Sequence, residues 1–372
     1  MNITNAIENE WVSTGGSYID QFENHMASYL QVAHAVACQS GTAGLHLALI
    51  LSGVKQGDEV LVPTLTFIAA VNPVKYIGAE AVFMDCDDSL NMDLDKLDEF
   101  CCNECYMSEK GLVNKGTGRI IKALVIVHVF GNAADMRKVM EIASKYKLKV
   151  VEDATEALGS YYTEGRYKGS FAGTIGDFGV FSFNGNKIIT TGGGGMLTAN
   201  DRELLNKAKY LSTQAKDDEL YYIHNEIGYN YRMTNMQAAL GVAQLEQLEK
   251  FINKKAENYK LYREHIKQIE GLDIIDFNKG TRPNYWFYSL FIDKVKYGYD
   301  RDELLKQLKA QGIQTRPIWG LIHQQKPYKS NQSYHIEKAN IYIEKILNIP
   351  CSSNLSSEDV LYVVKTLYNL KK

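Results

Sequence analysis

The sequence predicts an α/β fold with a mostly parallel sheet, and three observations carry that expectation. Short apolar runs alternate with helical periodicities through the first two-thirds of the chain. A long amphipathic stretch at residues 235–252 reads as a bridge out of that region. The length of 372 residues suits one large domain with a smaller companion.

The strand candidates are residues 59–62, 81–84, 123–129, 149–152, 178–183 and 195–198, with helical stretches such as 45–51 and 136–146 between them. Strands separated by helices read as βαβ units, and in such sheets ligands bind at the carboxyl ends of the strands. In the bridging stretch the apolar positions are Leu240, Ala243, Leu245, Leu248 and Ile252, which fits one continuous helix. The expected division is a large domain over residues 1–245 and a small C-terminal α/β domain over 246–372. The latter mixes helices with an aromatic strand at 285–292. Residues 101–118 are polar and aperiodic and read as a loop excursion.

Composition narrows the function classes. Hydrophobic residues at 45 % and charged residues at 23 % fit a soluble globular chain. A formal net charge of −3 gives no basic footprint for nucleic acid. No apolar run reaches the roughly 20 residues that span a bilayer, and no charged-then-apolar signal follows Met1. The expected compartment is the cytoplasm, without a membrane partner. Six cysteines suit it as free thiols. Cys101, Cys102 and Cys105 cluster beside Glu104, but no second Cys/His pair follows at ligand spacing, so no metal is expected.

Three segments carry chemistry. Ser40-Gly41-Thr42-Ala43-Gly44 precedes a helix, and a small-residue turn of that kind offers free N–H groups to a phosphate or serves as a simple N-cap. Asp153 follows the strand at 149–152, where a carboxylate can hold a pyridine nitrogen protonated or cap a helix. Lys187 ends Phe181-Ser182-Phe183-Asn184-Gly185-Asn186-Lys187, ahead of Gly192–Gly195. Burial disfavours a lysine's charge, so this placement suits an amine that must lose its proton and form a Schiff base. The glycine run lacks the Walker order and is not a nucleotide loop. His128, on an apolar strand, reads as a satisfied core histidine. A phosphate turn, a carboxylate after a central strand and a lysine about 35 residues later form one coherent cofactor site.

Those segments belong to a wider set: Pro-Thr-Leu-Thr-Phe (63–67), His-Val-Phe-Gly-Asn (128–132), Glu-Asp-Ala-Thr-Glu-Ala-Leu-Gly (152–159), Gly-Tyr-Asn-Tyr-Arg-Met (228–233) and Arg-Pro-Ile-Trp (316–319). As a set they resemble the DegT/DnrJ-type nucleotide-sugar aminotransferases over nearly the whole chain. The resemblance implies the aspartate-aminotransferase fold, with a mostly parallel seven-stranded sheet, and pyridoxal 5'-phosphate as cofactor. It implies catalytic roles for Lys187, as Schiff-base and proton-shuttle lysine, and for Asp153, at the pyridinium nitrogen. Glu156 would lie near the ring hydroxyl, and Phe67 would stack on the ring. Gly41, Thr42 and Ala43, with Ser182, would hold the phosphate. Asn230 would reach the phosphate of the neighbouring subunit, which implies a homodimer with shared active sites. Arg232, Arg316 and His323 would meet the nucleotide sugar, where a basic residue suits a pyrophosphate. The segment ahead of Trp11 is shorter than relatives usually carry. Glu156 stands where many have Gln, and Gly192–Gly195 replaces Gly-Glu-Gly-Gly.

Residues 184–191 and 212–218 resemble one branch most, the C4 aminotransferases of the legionaminic-acid and bacillosamine routes. The expected reaction moves an amino group from L-glutamate to C4 of UDP-2-acetamido-2,6-dideoxy-hexos-4-ulose, for bacterial surface glycan. GDP-4-keto-6-deoxymannose, as in perosamine synthesis, and 3-keto sugars are the alternatives. Related sugar dehydratases carry His at the lysine position, so Lys187 argues against dehydration. Asp153, Lys187 and Asn230 together argue against a non-enzymatic relative.

Overall fold

The computed structural model describes residues 2–218 and 220–372. In chain order the strands are β1 (Ala35–Cys38), β2 (Glu59–Pro63), β3 (Glu80–Met84), β4 (Cys105–Ser108), β5 (Gly111–Asn114), β6 (Ile120–Val127), β7 (Lys149–Asp153) and β8 (Tyr161–Tyr162). They continue with β9 (Phe178–Ser182), β10 (Gly195–Ala199), β11 (Leu272–Ile274), β12 (Thr281–Arg282), β13 (Tyr288–Ile292), β14 (Arg316–Pro317), β15 (Ser333–Tyr334) and β16 (Ile346–Ile349).

The large sheet runs β1-β10-β9-β7-β6-β2-β3-β15, with the β4–β5 hairpin on β6. From β9 to β15 the pairs along this order are parallel, and β10 and β1 close one edge antiparallel. The six strand candidates are all present, and the seven expected strands are extended by three, β4, β5 and β15. Both faces of the sheet are covered, which is why β6 from Ala123 to Val127 and β9 from Phe178 to Phe181 read as continuous apolar runs. Helices Ser17–Leu30, Leu94–Asn103, Met136–Tyr146 and Asn235–Leu245 build one core layer. Helices Gly41–Leu51 and Arg202–Ser212 and the segment around Ile318–Ile322 build the other. Val125, Val150, Val151 and Val180 are fully buried, each stabilising by about 1.5–3 kcal/mol.

Two expectations about elements are corrected. The bridging stretch is not one helix but two, Asn235–Leu245 and Leu248–Ile266, parted at the exposed Glu246–Gln247. A capping box between Thr234 and Gln237 starts the first. Its buried face is also not the leucine stripe but Ala238, Ala239, Gly241 and Val242, which meet helix Ser17–Leu30. Gly241 is required there, because a Cβ would stand 2.7 Å from the Phe22 ring. Residues 101–118 are not a loop: Cys101 and Cys102 end a helix, and β4 and β5 form a hairpin whose Leu112 and Val113 pair with Ile121 and Ile120. Cys101 and Cys105 are core side chains, whereas Cys102 is exposed.

The second sheet, β11-β13-β16-β14, packs its own core against helices Leu248–Ile266, Arg301–Ala310 and Ser357–Leu370. Between β14 and β16 the chain returns to the large sheet, where β15 lies parallel to β3. The aromatic strand expected at 285–292 begins only at Tyr288.

Candidate active site

β6, β7 and β9 end side by side, and their carboxyl ends open into a cavity of about 370 Å³. Asp153 closes β7, and Ser182 closes β9. Lys187 enters from the turn after β9, where its N–H donates to the Asn184 carbonyl at 3.0 Å. The sequence folds this way because apolar β9 stops at Ser182 and the polar Asn184–Asn186 turn cannot continue the buried ladder.

Lys187 is nearly buried, its side chain 11 % exposed, and its Nζ lies 3.6 Å from Glu156 Oε1. Oε2 of Glu156 accepts from the Phe130 N–H at 2.9 Å. Burial pushes the Glu156 carboxyl up to about 7, against the pull of Lys187. Burial likewise raises Asp153, which among the described residues takes hydrogen bonds only from Thr155, its N–H at 3.0 Å. A buried carboxylate facing a cavity with that little support is built to receive a donor from within it.

Helix Gly41–Leu51 aims its N-terminus into the same cavity. Ser40 Oγ accepts from the Ala43 N–H at 3.1 Å, and the Gly44 N–H goes to the Ser40 carbonyl. The N–H groups of Gly41 and Thr42 have no partner among the described residues. They, with the helix dipole, make the anion cradle, whereas the N–H of Ala43 is committed to Ser40. Gly41 brings that cradle against β9: a Cβ there would sit 3.0 Å from Ser182 Cβ. Phe67, 53 % exposed, stands at the cavity mouth.

Gly41, Thr42, Phe67, Asp153, Glu156, Ser182 and Lys187 therefore converge, and five expected residues do not: Ala43, whose N–H is committed to Ser40, and the four that follow. Arg232 is buried and paired with Glu23, whose carboxylate also accepts from the Ala37 N–H, so this guanidinium is already satisfied inside the fold. Arg316 is exposed on β14, outside the cavity. His323 is half-buried, its Nδ1 at 2.6 Å from Thr64 Oγ1, and burial lowers its proton affinity. Asn230 is exposed and pairs with Thr213 through the backbone, away from the cavity of its own chain.

Sequence reading missed the aromatic wall. Trp286 and Phe287 stack at 4.0 Å, and Trp319 joins them in lining the cavity. The centre of the Trp286 ring lies 4.3 Å from Lys187 Nζ. The usable signal was Asn284, whose Oδ1 accepts from the Trp286 N–H at 3.0 Å in an Asx turn that keeps Trp286 out of β13. His128 is a core residue, as expected: its Nδ1 accepts from the Ala134 N–H and its Nε2 lies 2.9 Å from Glu152.

Comparison with known proteins agrees with this geometry. The model of the "DegT/DnrJ/EryC1/StrS aminotransferase family" matches residues 1–368. GDP-perosamine synthase of Escherichia coli O157:H7 is 37 % identical over 366 residues, covering 98 % of this chain and 93 % of the relative. The UDP-4-amino-4,6-dideoxy-N-acetyl-beta-L-altrosamine transaminase of Campylobacter jejuni is 30 % identical over 374 residues, covering 99 % and 93 %. The crystal structure of a DegT DnrJ EryC1 StrS aminotransferase from Brucella abortus superposes with a TM-score of 0.89 at 27 % identity, covering 100 % of this chain and 94 % of that one.

Proposed function

The chain belongs to the DegT/DnrJ/EryC1/StrS family of pyridoxal-phosphate-dependent sugar aminotransferases, and on that premise we propose that it transfers an amino group from L-glutamate to C4 of a nucleotide-linked 4-keto-6-deoxy sugar. The observation that carries this is one cavity holding the Lys187 amine, the thinly supported Asp153 carboxylate and two N–H groups at a helix start that have no partner among the described residues. That donor set fits the cofactor. Gly41, Thr42 and Ser182 would hold its phosphate, Asp153 its protonated ring nitrogen, and Phe67 would cover the ring.

When bound, pyridoxal phosphate supplies an aldehyde for an amine and a ring that draws electrons from the reacting carbon. Asp153, as a carboxylate, sustains that withdrawal by keeping the ring nitrogen protonated. Lys187 supplies the attaching amine and then carries a proton to and from the reacting carbon. Glu156 at 3.6 Å holds the amine over the cavity, and the aromatic wall excludes water.

The same cavity takes glutamate and sugar in turn, so double-reciprocal plots should be parallel. Glutamate alone should bleach the visible absorbance of the loaded protein, and the keto sugar should restore it. Sugar consumption with an unchanged spectrum would overturn the reading. The 37 % identity to a GDP-perosamine synthase supports testing GDP-4-keto-6-deoxymannose first. The Campylobacter relative, and the likeness of residues 184–191 and 212–218 to the legionaminic branch, support UDP-2-acetamido-2,6-dideoxy-hexos-4-ulose as the second substrate. A side-by-side kcat/KM comparison of the two decides the carrier.

A homodimer with shared sites is part of the reading. Asn230 and the exposed Leu220, Tyr221, Tyr222, Ile223 and Ile227 project from one segment, an apolar surface suited to a second copy of the chain.

A further inference from the structure

Lys255 is a buried cation, 5 % exposed, on helix Leu248–Ile266. No carboxylate pairs with it among the described residues; its ammonium donates to two backbone carbonyls, Trp286 O at 3.1 Å and Cys351 O. An ammonium held this way is costly, and burial lowers its proton affinity.

The register of the small sheet explains the position. β13 pairs with β16 so that Tyr288 faces Ile349. One step outward Phe287 would face Pro350, which has no N–H, and the ladder stops. One step further the same register would set Trp286 opposite Cys351, and there the Lys255 ammonium bridges the two carbonyls. The backbone of Trp286 is thus fixed from two sides, by Lys255 at its carbonyl and by Asn284 at its N–H. Its side chain meets the site: the indole N–H donates to the Asn186 carbonyl at 2.9 Å, and the ring lies 4.3 Å from Lys187 Nζ.

We propose that Lys255 is a positioning residue for Lys187. Its ammonium fixes Trp286, and Trp286 holds the Asn186–Lys187 turn and the lysine amine where the cofactor attaches. The inference rests on Lys187 being the cofactor lysine.

The test uses the full chain freed of cofactor. Attachment of pyridoxal phosphate is followed by stopped-flow visible absorbance, and borohydride trapping with peptide mass spectrometry identifies the labelled lysine. Lys255→Met and Trp286→Leu should each slow attachment roughly tenfold, the size of the one hydrogen bond by which the indole N–H holds the Asn186 carbonyl. The double variant should be no slower than Trp286→Leu, because Lys255 acts only through the ring. Trp286→Phe, which keeps a ring beside Lys187 but loses the N–H to the Asn186 carbonyl, should recover the rate only in part. Lys255→Gln, which keeps a shorter donor, serves if Lys255→Met fails to fold, with the same non-additivity expected. A wild-type attachment rate in the Lys255 variant, or an undiminished effect in the Trp286→Leu background, overturns the proposal. Label on a lysine other than Lys187 overturns instead the reading of the site.

Discussion

Lys187 Nζ lies 3.6 Å from Glu156 Oε1, and burial around that pair holds the carboxyl up at about 7. The unfolded chain releases this proton near the ordinary carboxylate value of about 4.5, before the folded chain does. The resulting stability is therefore full below about 4.5 and is lost as pH rises toward and through 7. Glu156→Gln removes the titration. The stability of wild type relative to Glu156→Gln should fall by on the order of 2 kcal/mol across that window, read by urea denaturation of the cofactor-free protein. A difference that is flat with pH would show that Glu156 stays charged beside Lys187.

Lys187→Ala should abolish both the visible absorbance of the loaded protein and turnover, because among the described residues no other amine lines the cavity. The fold should survive. Among the described residues the lysine amine's partners are one carboxylate and one ring, and Glu156 can take up a proton once the cation is gone. A coloured, active Lys187→Ala protein would falsify the assignment.

Much of this site was legible in the sequence because its parts are local. Asp153 and Ser182 sit where apolar strands end, and Lys187 follows in a polar turn, so the strand pattern and chain order point to one cavity. What was not legible depends on pairing between distant segments. Arg232 looks free until Glu23, 209 residues away, is packed against it. The β4–β5 hairpin exists because β6 offers an edge to Leu112 and Val113, which a reading of local polarity cannot see. Helix Asn235–Leu245 buries Ala238, Ala239 and Gly241, the last because Phe22 needs the room, while its leucines stay half-exposed. Trp286 was hidden in an aromatic run whose first residues leave the strand at an asparagine turn.

The Glu152 carboxylate is a structural centre behind the site. Oε1 accepts from the Ile175 and Gly176 N–H groups, and Oε2 from the Gly173 N–H and from His128. Because His128 Nδ1 accepts from the Ala134 N–H, the ring proton sits on Nε2 and points at Glu152. His128→Ala would remove that donor and leave a cavity. It should cost roughly 3 kcal/mol in urea denaturation while pyridoxal phosphate still attaches at Lys187. Loss of attachment without loss of stability would place His128 in the chemistry instead.

The shared-site reading makes Asn230 and Lys187 act across chains, because Asn230 does not reach the cavity of its own chain. Chains carrying Lys187→Ala and chains carrying Asn230→Ala should each be nearly inactive alone. In a hybrid dimer one site lacks both groups, and the other draws Lys187 from one chain and Asn230 from its partner, both intact. Equal mixing with free exchange gives half hybrids, so about a quarter of all sites are restored. Activity should rise to about that share of wild type after denaturation and joint refolding, and not after simple mixing if the dimer exchanges slowly. Two differently tagged chains purified in sequence isolate the hybrid, which should then show about half of the wild-type kcat with an unchanged KM. An isolated hybrid as inactive as its parents would place Asn230 and Lys187 in the same chain's site, and a fully active Asn230→Ala parent would remove Asn230 from the site.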